Sequence, residues 1–392
     1  MRELPRRMVT WVLIWALTLV GLRLTLLAPE VCPPINIDSA HAAAVGAADW
    51  IVLNQNPDGK YLYEWDRDAD SATDAAYNMV RHAGTTMALY QFAAAGEIAY
   101  LDAADAGMDW MLQQEVGNDT VAAIAPTPNS NAKLGTVALA TAGLVHRRRA
   151  TGDTSFDDLL RRFGNLMVGQ QRADGSMLDL WSPTEEAPVP GLTSLFSTGE
   201  ATWALALLDS IWPDENWGER AFQTLDYIAT VRDEEENVWP RPWADQWAAY
   251  ALNELSGSGL TDAHLDYAGR LAAQWGVAVR WDSQRNGGID ELVHAPESIA
   301  AGQGTWLEGL GMLGLVAGAD GRLTEIQADV NDRLLCTAGR MVDKQTVGTG
   351  RDELDGAFFV NGVARVDGQQ HVLSGLILAE ALLRERELEA QQ

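Results

Sequence analysis

Cysteine is almost absent from this 392-residue chain, with Cys32 near its start and Cys336 near its end. Two such distant thiols do not make the cysteine framework of a small secreted domain, and they are too few for a cysteine-based metal site. A single long-range disulfide stays open. Strand patterns are nearly absent as well, and only residues 357–365 predict a short hairpin.

Positive charge is also scarce. The chain has 28 Lys and Arg against 55 Asp and Glu, which gives a net charge of -27, and its only lysines are Lys60, Lys133 and Lys344. Such an acidic surface repels phosphate backbones, so we expect no nucleic-acid partner. Hydrophobic residues make up 47% of the chain and 15 residues are Trp. That is enough for a sizeable core, and Trp also lines grooves where sugar rings stack.

Familiar catalytic signatures are missing. The sequence contains no HExxH, GxSxG, Walker or GxGxxG pattern, which argues against metalloprotease, lipase and nucleotide-binding functions. Asp66, Asp68 and Asp70 alternate in an early loop, but the glycine and the closing glutamate of an EF-hand loop are not there. We therefore expect neither a metal nor a cofactor.

One long apolar run stands at the N-terminus, after three arginines. About 20 residues at the helical rise are enough to cross a bilayer core. The basic flank places the N-terminus in the cytoplasm and the rest of the chain in the periplasm or outside the cell. A cleaved signal peptide is the alternative, but the nearest small-residue cleavage pattern, Ala40-His41-Ala42, lies well beyond the run. The predicted order is a cytoplasmic N-terminus (1–7), a transmembrane anchor (8–27), a proline-containing linker (28–38) and one large domain (39–392).

A repeated phrase organises that domain. An amphipathic segment ends in Gln or Asn and then turns through Asp-Gly or a similar pair, at residues 54–59, 113–118 and, most clearly, 170–175. Weaker copies begin near residues 232, 283 and 343. The spacing is roughly 50 to 60 residues, which is typical of stacked repeats. Gly and Asn supply the left-handed residue that ends a helix, so each phrase marks a helix end.

Two helices are predicted between successive phrases. One set is amphipathic, and the other is rich in Ala, Gly and Leu on nearly all sides, as in a crowded interior. The outer set spans 39–52, 99–113, 155–169, 217–231, 262–275 and 323–341. The inner set spans 75–95, 132–151, 199–212, 245–255, 298–318 and 370–383. The alternation predicts an all-α fold, an (α/α)6 barrel or toroid of six helical hairpins preceded by one transmembrane helix.

Long loops lead into the inner helices and should gather at one mouth of the barrel, because they all join the same pair of helix types. Connections of this length are usually functional when they are ordered. They span residues 60–74, 116–131, 176–197, 234–244, 277–297 and 345–369. Their tryptophans are Trp65, Trp181, Trp239, Trp243 and Trp281.

The inner-helix N-termini point free backbone donors and a positive dipole end at that mouth. The first of them carries Tyr77, Arg81 and His82. Arg81 offers a planar fork for a carboxylate, and His82 exchanges a proton near neutral pH, unless both cap internal loop carbonyls. The predicted substrate-binding residues are Arg81, Tyr77, Tyr63, Trp65, Trp243, Gln246, Gln303 and His371.

Two carboxylates join His82 as predicted catalytic residues. Glu200 follows Ser197 and Thr198, either of which suits the N-cap of the third inner helix. Asp245 lies between two tryptophans, and desolvation there would raise its pKa as a general acid requires. Acidic residues are also favoured at helix N-termini for purely structural reasons, and that alternative stays open.

The hairpin repeat and the inner-helix phrase at residues 77–85 resemble the six-hairpin glycosidase-like superfamily of (α/α)6 toroids. The resemblance covers residues 39–392 and is one of repeat layout. It implies a site at the barrel mouth with Asp, Glu, His or Tyr as catalysts, and activities that include glycoside hydrolysis, polysaccharide lysis and sugar epimerisation. No pair of catalytic carboxylates matches one member family residue by residue.

Two functions follow as hypotheses. The first is a membrane-anchored carbohydrate-active enzyme that hydrolyses, lyses or epimerises an envelope or extracellular polysaccharide, an acidic one included, with Asp245 and Glu200 as acid and base. The second is a non-catalytic toroid that binds a glycan or a protein within an envelope complex. The anchor leaves other envelope membrane subunits open as partners, because Arg23 in the apolar run could pair with one.

Overall fold

Helices alternate between two layers along the chain. The computed structural model describes residues 3–25, 27–73, 77–285, 294 and 300–392. After an N-terminal helix, α1 (Glu3–Leu24), the outer layer contains α2 (Ile37–Leu53), α4 (Leu101–Leu112), α6 (Asp157–Gln170), α8 (Trp217–Thr230), α11 (Asp262–Ser283) and α13 (Thr324–Lys344). The inner layer contains α3 (Met79–Ala94), α5 (Leu134–Thr151), α7 (Leu195–Ile211), α10 (Gln246–Glu254), α12 (Ala300–Ala319) and α14 (Val366–Ala390). A single turn, α9 (Arg232–Glu235), follows α8.

The inner helices close into a ring. Each packs against the next inner helix in chain order, and α14 packs back onto α3. Small residues allow the close approach: residues 134–145 of α5 are buried on every side, and a Cβ added at Gly143 would lie 3.3 Å from Met87 of α3. The predicted (α/α)6 toroid is therefore confirmed.

The outer helices each bury one stripe against this ring. In α8, Ala221, Thr224, Leu225 and Ile228 are buried while the intervening polar positions face solvent, which is the spacing of an amphipathic helix. Most outer helices pack on the inner helix that precedes them in the chain, as α4 does on α3 and α8 on α7, and α2 packs on α14. The core accordingly lies between the two layers.

The repeated phrase has a definite structural role. Gln171 donates its side-chain amide to the backbone oxygen of Arg220 at 2.8 Å, and Gln55 donates equivalently to Ala103 at 3.0 Å. Gly175 follows at φ +88°, and a Cβ there would lie 2.3 Å from the backbone oxygen of Gln223. Only glycine fits such a left-handed position against another backbone. The phrases at 54–59 and 170–175 therefore each end one outer helix and fasten it to the next.

Within the described residues, three small sheets connect the mouth loops to one another. The predicted hairpin at 357–365 is present as a tight turn, in which Val360 and Val363 exchange backbone hydrogen bonds of 3.0 and 3.1 Å. Beyond that turn, β8 (Val363–Arg365) pairs with β1 (Glu64–Asp66), which also pairs with β2 (Ser71–Thr73). Next along the chain β3 (Glu115–Gly117) pairs with β4 (Ala122–Ile124), and β5 (Ala132–Lys133) pairs with β6 (Leu180–Ser182), itself paired with β7 (Ala187–Pro188). The first loop is thus joined to the last, and the second to the third.

Several helix ends differ from the sequence expectation. Helix α7 begins at Leu195 and α14 at Val366, each about one turn before the predicted start. The N-cap of α7 is Ser194 rather than Ser197 or Thr198. Helix α11 continues to Ser283, so Trp281 lies in a helix and not in a loop. The predicted starts at 75 and 298, and most of the predicted loop 277–297, lie outside the described residues.

The N-terminal helix projects from the toroid with its apolar side chains exposed. Its stretch Arg6–Leu24, 19 residues, is long and apolar enough to cross a membrane, a test that a signal sequence also passes. The helix ends before the predicted limit of the anchor at residue 27, and Arg23 donates to the Leu27 carbonyl at 2.8 Å.

The following segment is docked on the toroid. Cys32 and Cys336 form a disulfide with their Cα atoms 4.6 Å apart, which realises the long-range bridge that the sequence leaves open. Glu30 forms ion pairs with Arg333 and Arg280, and the Val31 N–H donates to the Ser283 carbonyl at 2.7 Å. These contacts therefore hold residues 30–32 against α11 and α13.

Candidate functional site

A cavity of about 550 Å³ opens where the inner helices begin. We call it the mouth cavity. All six inner helices, or the residues just before them, contribute to its wall, so the loops and helix N-termini do converge there. Its ionisable and aromatic lining residues are Arg81, Lys133, Asp179, Phe196, Glu200, Trp243, Trp247, Arg365, Asp367 and His371.

Glu200 is a protonated acid in the wall of this cavity. Its side chain is 4% exposed, and burial together with the negative charges of Asp245 and Asp179 raises its pKa to about 8, against a smaller opposing effect of Lys133. Gly135 of α5 makes room for it, because a Cβ there would lie 2.1 Å from Glu200 Oε2. A carboxyl group held neutral at pH 7 is a proton donor.

Two arginines share one carboxylate on another part of the wall. Arg81 Nε lies 2.9 Å from Asp367 Oδ2, and Arg365 donates through Nε at 2.5 Å and Nη2 at 2.9 Å to the two oxygens of the same carboxylate. Burial of Asp367 would raise its pKa, but the Arg365 hydrogen bonds and both guanidinium charges outweigh it and lower that pKa. Arg81 also donates to the hydroxyl of Tyr63. The group retains one positive charge in excess.

His371 is a second titratable group in the wall of the cavity. Its Nδ1 lies 2.7 Å from Oε2 of Glu308, which is completely buried in α12. Burial disfavours the charged imidazolium, yet the Glu308 carboxylate outweighs that effect and raises the pKa of His371. Gln370 and Tyr250 donate to the other oxygen of Glu308, each at 3.3 Å. Glu308 therefore orients the imidazole that lines the cavity.

Aromatic rings form the remaining wall. Trp247 stacks on Trp203 with ring centroids 5.6 Å apart, and its ring lies 5.8 Å from that of His371. Trp243 meets Phe196 edge-on at 5.3 Å. The indole N–H of Trp243 is buried without a hydrogen-bond partner among the described residues, so a ligand oxygen could satisfy it.

His82 lies outside the mouth cavity. It donates from Nε2 to the Gly107 carbonyl at 2.8 Å, so its Nδ1 must accept the Tyr77 hydroxyl, which is 2.6 Å away. Burial is the main cause that lowers the pKa of His82, to about 4. The ring is therefore a neutral link between α3 and α4. Of the two alternatives that the sequence left open for His82, the structure shows the one in which the imidazole binds an internal carbonyl.

Asp245 is likewise taken up by structural contacts. One oxygen accepts the Ala248 N–H at 3.0 Å as the N-cap of α10, and the other accepts Arg232 at 2.5 Å. Arg232 is fully buried and also donates to Tyr267 at 3.0 Å. Asp245 is not among the residues that line the mouth cavity, so its carboxylate reaches the site only through its charge on Glu200.

The other predicted binding residues divide between the mouth and the surrounding structure. Trp243, Gln246 and His371 line the mouth cavity together with Arg81 and Glu200. Tyr63 lies behind Arg81. Trp65 belongs to β1, with Arg351 over its ring, and Gln303 bonds Asp282 at 2.8 Å and Lys344 at 3.0 Å between helices. Trp65 and Gln303 do not line the mouth cavity, because β1 turns Trp65 and α12 turns Gln303 towards neighbouring elements.

Sequence reasoning missed several lining residues. Asp367 and Arg365 were hidden because the last inner helix begins before its predicted start. Lys133 and Asp179 lie in loops joined by the β5–β6 pairing, which no local pattern reveals. Glu308 had a readable signal, since it is the only ionisable residue within the small, apolar helix α12. Such a lone carboxylate in an inner helix needs a partner.

No protein-family model matches the sequence, and no curated protein matches it significantly. Solved structures do resemble the fold. The cellobiose 2-epimerase from Spirochaeta thermophila DSM 6192 aligns at a TM-score of 0.59 with 15% identity over 88% of this chain and 96% of its own. A D-mannose isomerase gives 0.62 with 13% identity over 88% and 97%. An unsaturated glucuronyl hydrolase specific for heparin gives 0.57 with 10% identity over 88% and 98%. The chain therefore shares the (α/α)6 toroid fold of these solved structures.

Proposed function

We propose that the chain is a carbohydrate-active enzyme that acts on an acidic saccharide in the mouth cavity, with Glu200 as its proton donor. The observation that carries the proposal is the neutral Glu200 carboxyl in a cavity that also holds the Arg81–Asp367–Arg365 group. The structural neighbours, whose names are those of sugar epimerases, isomerases and glycoside hydrolases, support the same class of substrate.

The charge of the cavity supports an acidic sugar. Arg81, Lys133 and Arg365 line it alongside the carboxylates of Asp179 and Asp367, and Glu200 is protonated at neutral pH. Arg81 and Arg365 keep 33% and 30% of their side chains exposed, so donors remain for a second carboxylate. A planar guanidinium binds a carboxylate through two parallel hydrogen bonds.

The chemistry is acid–base catalysis. A neutral carboxyl can protonate the oxygen that leaves when a glycosidic bond breaks, and a second group must remove a proton or activate water. His371, oriented by Glu308, and Asp179 are the groups in the cavity that suit the second role. Hydrolysis, lysis and epimerisation all need such a pair, and their products distinguish them.

The N-terminal segment supports a proposal for the location. We assign α1 as a single-pass anchor with the toroid in the periplasm or outside the cell. The disulfide supports this assignment, because such bonds persist in oxidising compartments and are rare in the cytosol. The substrate would then be an envelope or extracellular polysaccharide.

The test is turnover by the full-length chain in detergent. Uronate-containing polysaccharides and their methyl-esterified, neutral forms are assayed for new reducing ends, for unsaturated uronate and for epimerised sugar. We expect the acidic forms to react, and Glu200→Gln to lower kcat by at least roughly 100-fold. Glu219→Gln, on the exposed face of α8, is the matched control.

Full turnover by Glu200→Gln would overturn the assignment of the proton donor. Equal turnover of acidic and neutral forms would overturn the acidic substrate. Binding of the acidic forms without any product would instead identify a glycan-binding toroid, the non-catalytic alternative.

A further inference from the structure

A second cavity lies beside the mouth cavity. Its volume is about 560 Å³, and we call it the side cavity. Asn78 and Lys133 line both cavities, so the two are neighbours across the start of α3 and α5. The side cavity is lined by Lys60, Tyr77, Asn78, Met79, Trp110, Gln114, Pro126, Asn131, Lys133, Thr136 and Leu180.

The charged residues of its described lining are both basic. Two of the three lysines, Lys60 and Lys133, line it, and its described lining contains no Asp or Glu. In a chain of net charge -27, such a place concentrates positive potential. A low-dielectric wall strengthens the field that an anionic group would feel there.

Its wall also carries two aromatic rings in fixed positions. Tyr77 and Trp110 meet edge-on with centroids 5.7 Å apart. The Tyr77 hydroxyl is held 2.6 Å from His82 Nδ1, and His82 itself lies against Trp110 at 4.6 Å. Lys60 Nζ lies 4.4 Å from the centre of the Tyr77 ring. The neutral His82 therefore has a structural role here, because it holds the tyrosine ring that forms this wall.

Uncharged polar groups complete the lining. The Thr136 side chain is fully buried, and its hydroxyl has no hydrogen-bond partner among the described residues. Asn131 and Gln114 add amide groups. Aromatic faces, amides, a spare hydroxyl and ammonium groups together match a sugar ring that bears a carboxylate.

We infer that the side cavity is a second sugar subsite, and that the substrate is an oligomer with carboxylates on neighbouring sugars. Lys133, common to both cavities, would lie between the two carboxylates. The inference rests on the proposed function, because it extends the saccharide bound in the mouth cavity. It goes further in naming Lys60, Tyr77 and Trp110 as residues that select chain length and charge.

The test measures binding to full-length protein carrying Glu200→Gln, which prevents turnover. The probes are the mono-, di- and trisaccharides of galacturonate, mannuronate and glucuronate, with methyl-esterified trisaccharides as neutral counterparts. Titration calorimetry should show that at least one acidic trisaccharide binds roughly tenfold more tightly than its monosaccharide, as expected for one added charged contact. Lys60→Met should remove most of that gain.

Two controls separate the subsite from a general charge effect. Lys60→Arg should restore the gain with length because it restores the charge. Lys344→Met removes the same charge at the end of α13, where Lys344 contacts Gln303 away from both cavities, and should keep the gain.

The outcomes distinguish the two proposals. Tight binding of monosaccharides with no gain on lengthening, or an equal gain in Lys60→Met, overturns the second subsite and leaves the proposed function intact. An equal gain for methyl-esterified chains overturns its acidic specificity. Failure of every uronate to bind removes the acidic substrate of the proposed function and the subsite with it.

Discussion

Two buried carboxyl groups at the starts of neighbouring inner helices have different surroundings. Glu200 lines a cavity, and burial raises its pKa to about 8. Asp245 is 1% exposed and lies against a fully buried guanidinium, that of Arg232. Burial raises the pKa of Asp245 as well, as its position between two tryptophans predicts, but the adjacent Arg232 guanidinium opposes that rise. Among the described residues Glu200 has no such hydrogen-bonded cation, which is why we propose Glu200 and not Asp245 as the proton donor.

The raised pKa of Glu200 makes stability depend on pH. The unfolded chain loses this proton near pH 4.5, whereas the folded chain keeps it up to about pH 8. The stability that this bound proton adds to the folded protein is therefore fully present below the pKa of Glu200 in the unfolded chain. It is lost as pH rises towards the pKa of Glu200 in the folded chain. The free energy of unfolding of Glu200→Gln should be about 2–4 kcal/mol higher than that of wild type at pH 8, and the two should be similar at pH 4.

Urea unfolding at the two pH values measures this difference. If Glu200→Gln exceeded wild type in free energy of unfolding by the same amount at pH 4 and pH 8, Glu200 would not be the titrating group. In the wild-type protein, kcat should fall above pH 8, because Glu200, the proposed proton donor, ionises there.

Asp245→Asn tests the structural role of the second carboxyl. Asparagine can still cap α10, but it leaves the Arg232 charge buried without its closest partner. We expect a loss of about 3–5 kcal/mol in the free energy of unfolding. Asp332→Asn, whose side chain is 72% exposed in its pair with Arg386, should cost less than about 1 kcal/mol. Similar losses in the two variants would contradict the role given to Asp245.

At the scale of the elements, close packing between inner helices positions Glu200, the proposed proton donor. Gly135 lies in the first turn of α5, and the nearest atom to a Cβ at that position is the carboxyl oxygen of Glu200, from α7. Because that atom ends a flexible side chain, alanine should displace the carboxyl and leave the helices where they are. Glycine at this position therefore serves the site rather than the fold.

Gly135→Ala should lower kcat by roughly tenfold or more while changing the melting temperature little, because alanine also favours helix by up to about 1 kcal/mol. Gly269→Ala in α11 is the matched control, since a Cβ there meets nothing within 4 Å. That control should keep full activity. A large loss of stability in Gly135→Ala, with activity per folded molecule unchanged, would refute the positioning role.

The predictable part of the fold is the local part. Alternation of amphipathic and small, apolar segments is visible in the sequence, because each pattern repeats within one helix. The start of α14 is not, because it depends on the pairing of β8 with β1, which joins opposite ends of the domain. Asp367 was missed for that reason. Glu200 and Arg81 were found because they lie in the first two turns of inner helices, where a toroid directs side chains to its mouth.

Across the whole molecule, the distribution of charge separates the cavities from the rest. The surface carries the acidic excess, whereas Arg81, Arg365, Lys133 and Lys60 line the two cavities. An anionic ligand is thus repelled by most of the protein and attracted at one mouth. Affinity for acidic saccharides should therefore come from contacts inside the cavities, with little help from long-range attraction.

The disulfide connects the fold to the side of the membrane on which it forms. Cys32 lies in the segment after α1, and Cys336 lies in the outer helix α13. If α1 carries the chain across the membrane, both thiols meet an oxidising compartment. The full-length protein from intact cells should then show no free thiol after denaturation, as measured by a mass-tagged maleimide.

A chain that starts at residue 28, made without α1, would stay in the cytosol and should label at both cysteines. Its loss of the bond should lower the free energy of unfolding by about 2–4 kcal/mol, because the unfolded chain is then no longer closed into a loop. The Cys32→Ser, Cys336→Ser double variant of the full-length chain should match that loss, which separates the effect of the bond from the effect of removing α1. Free thiols in the full-length protein would place the toroid on the cytosolic side and overturn the proposed envelope location. The proposed chemistry of the mouth cavity would not be affected, because the Glu200 and Gly135 variants test it separately.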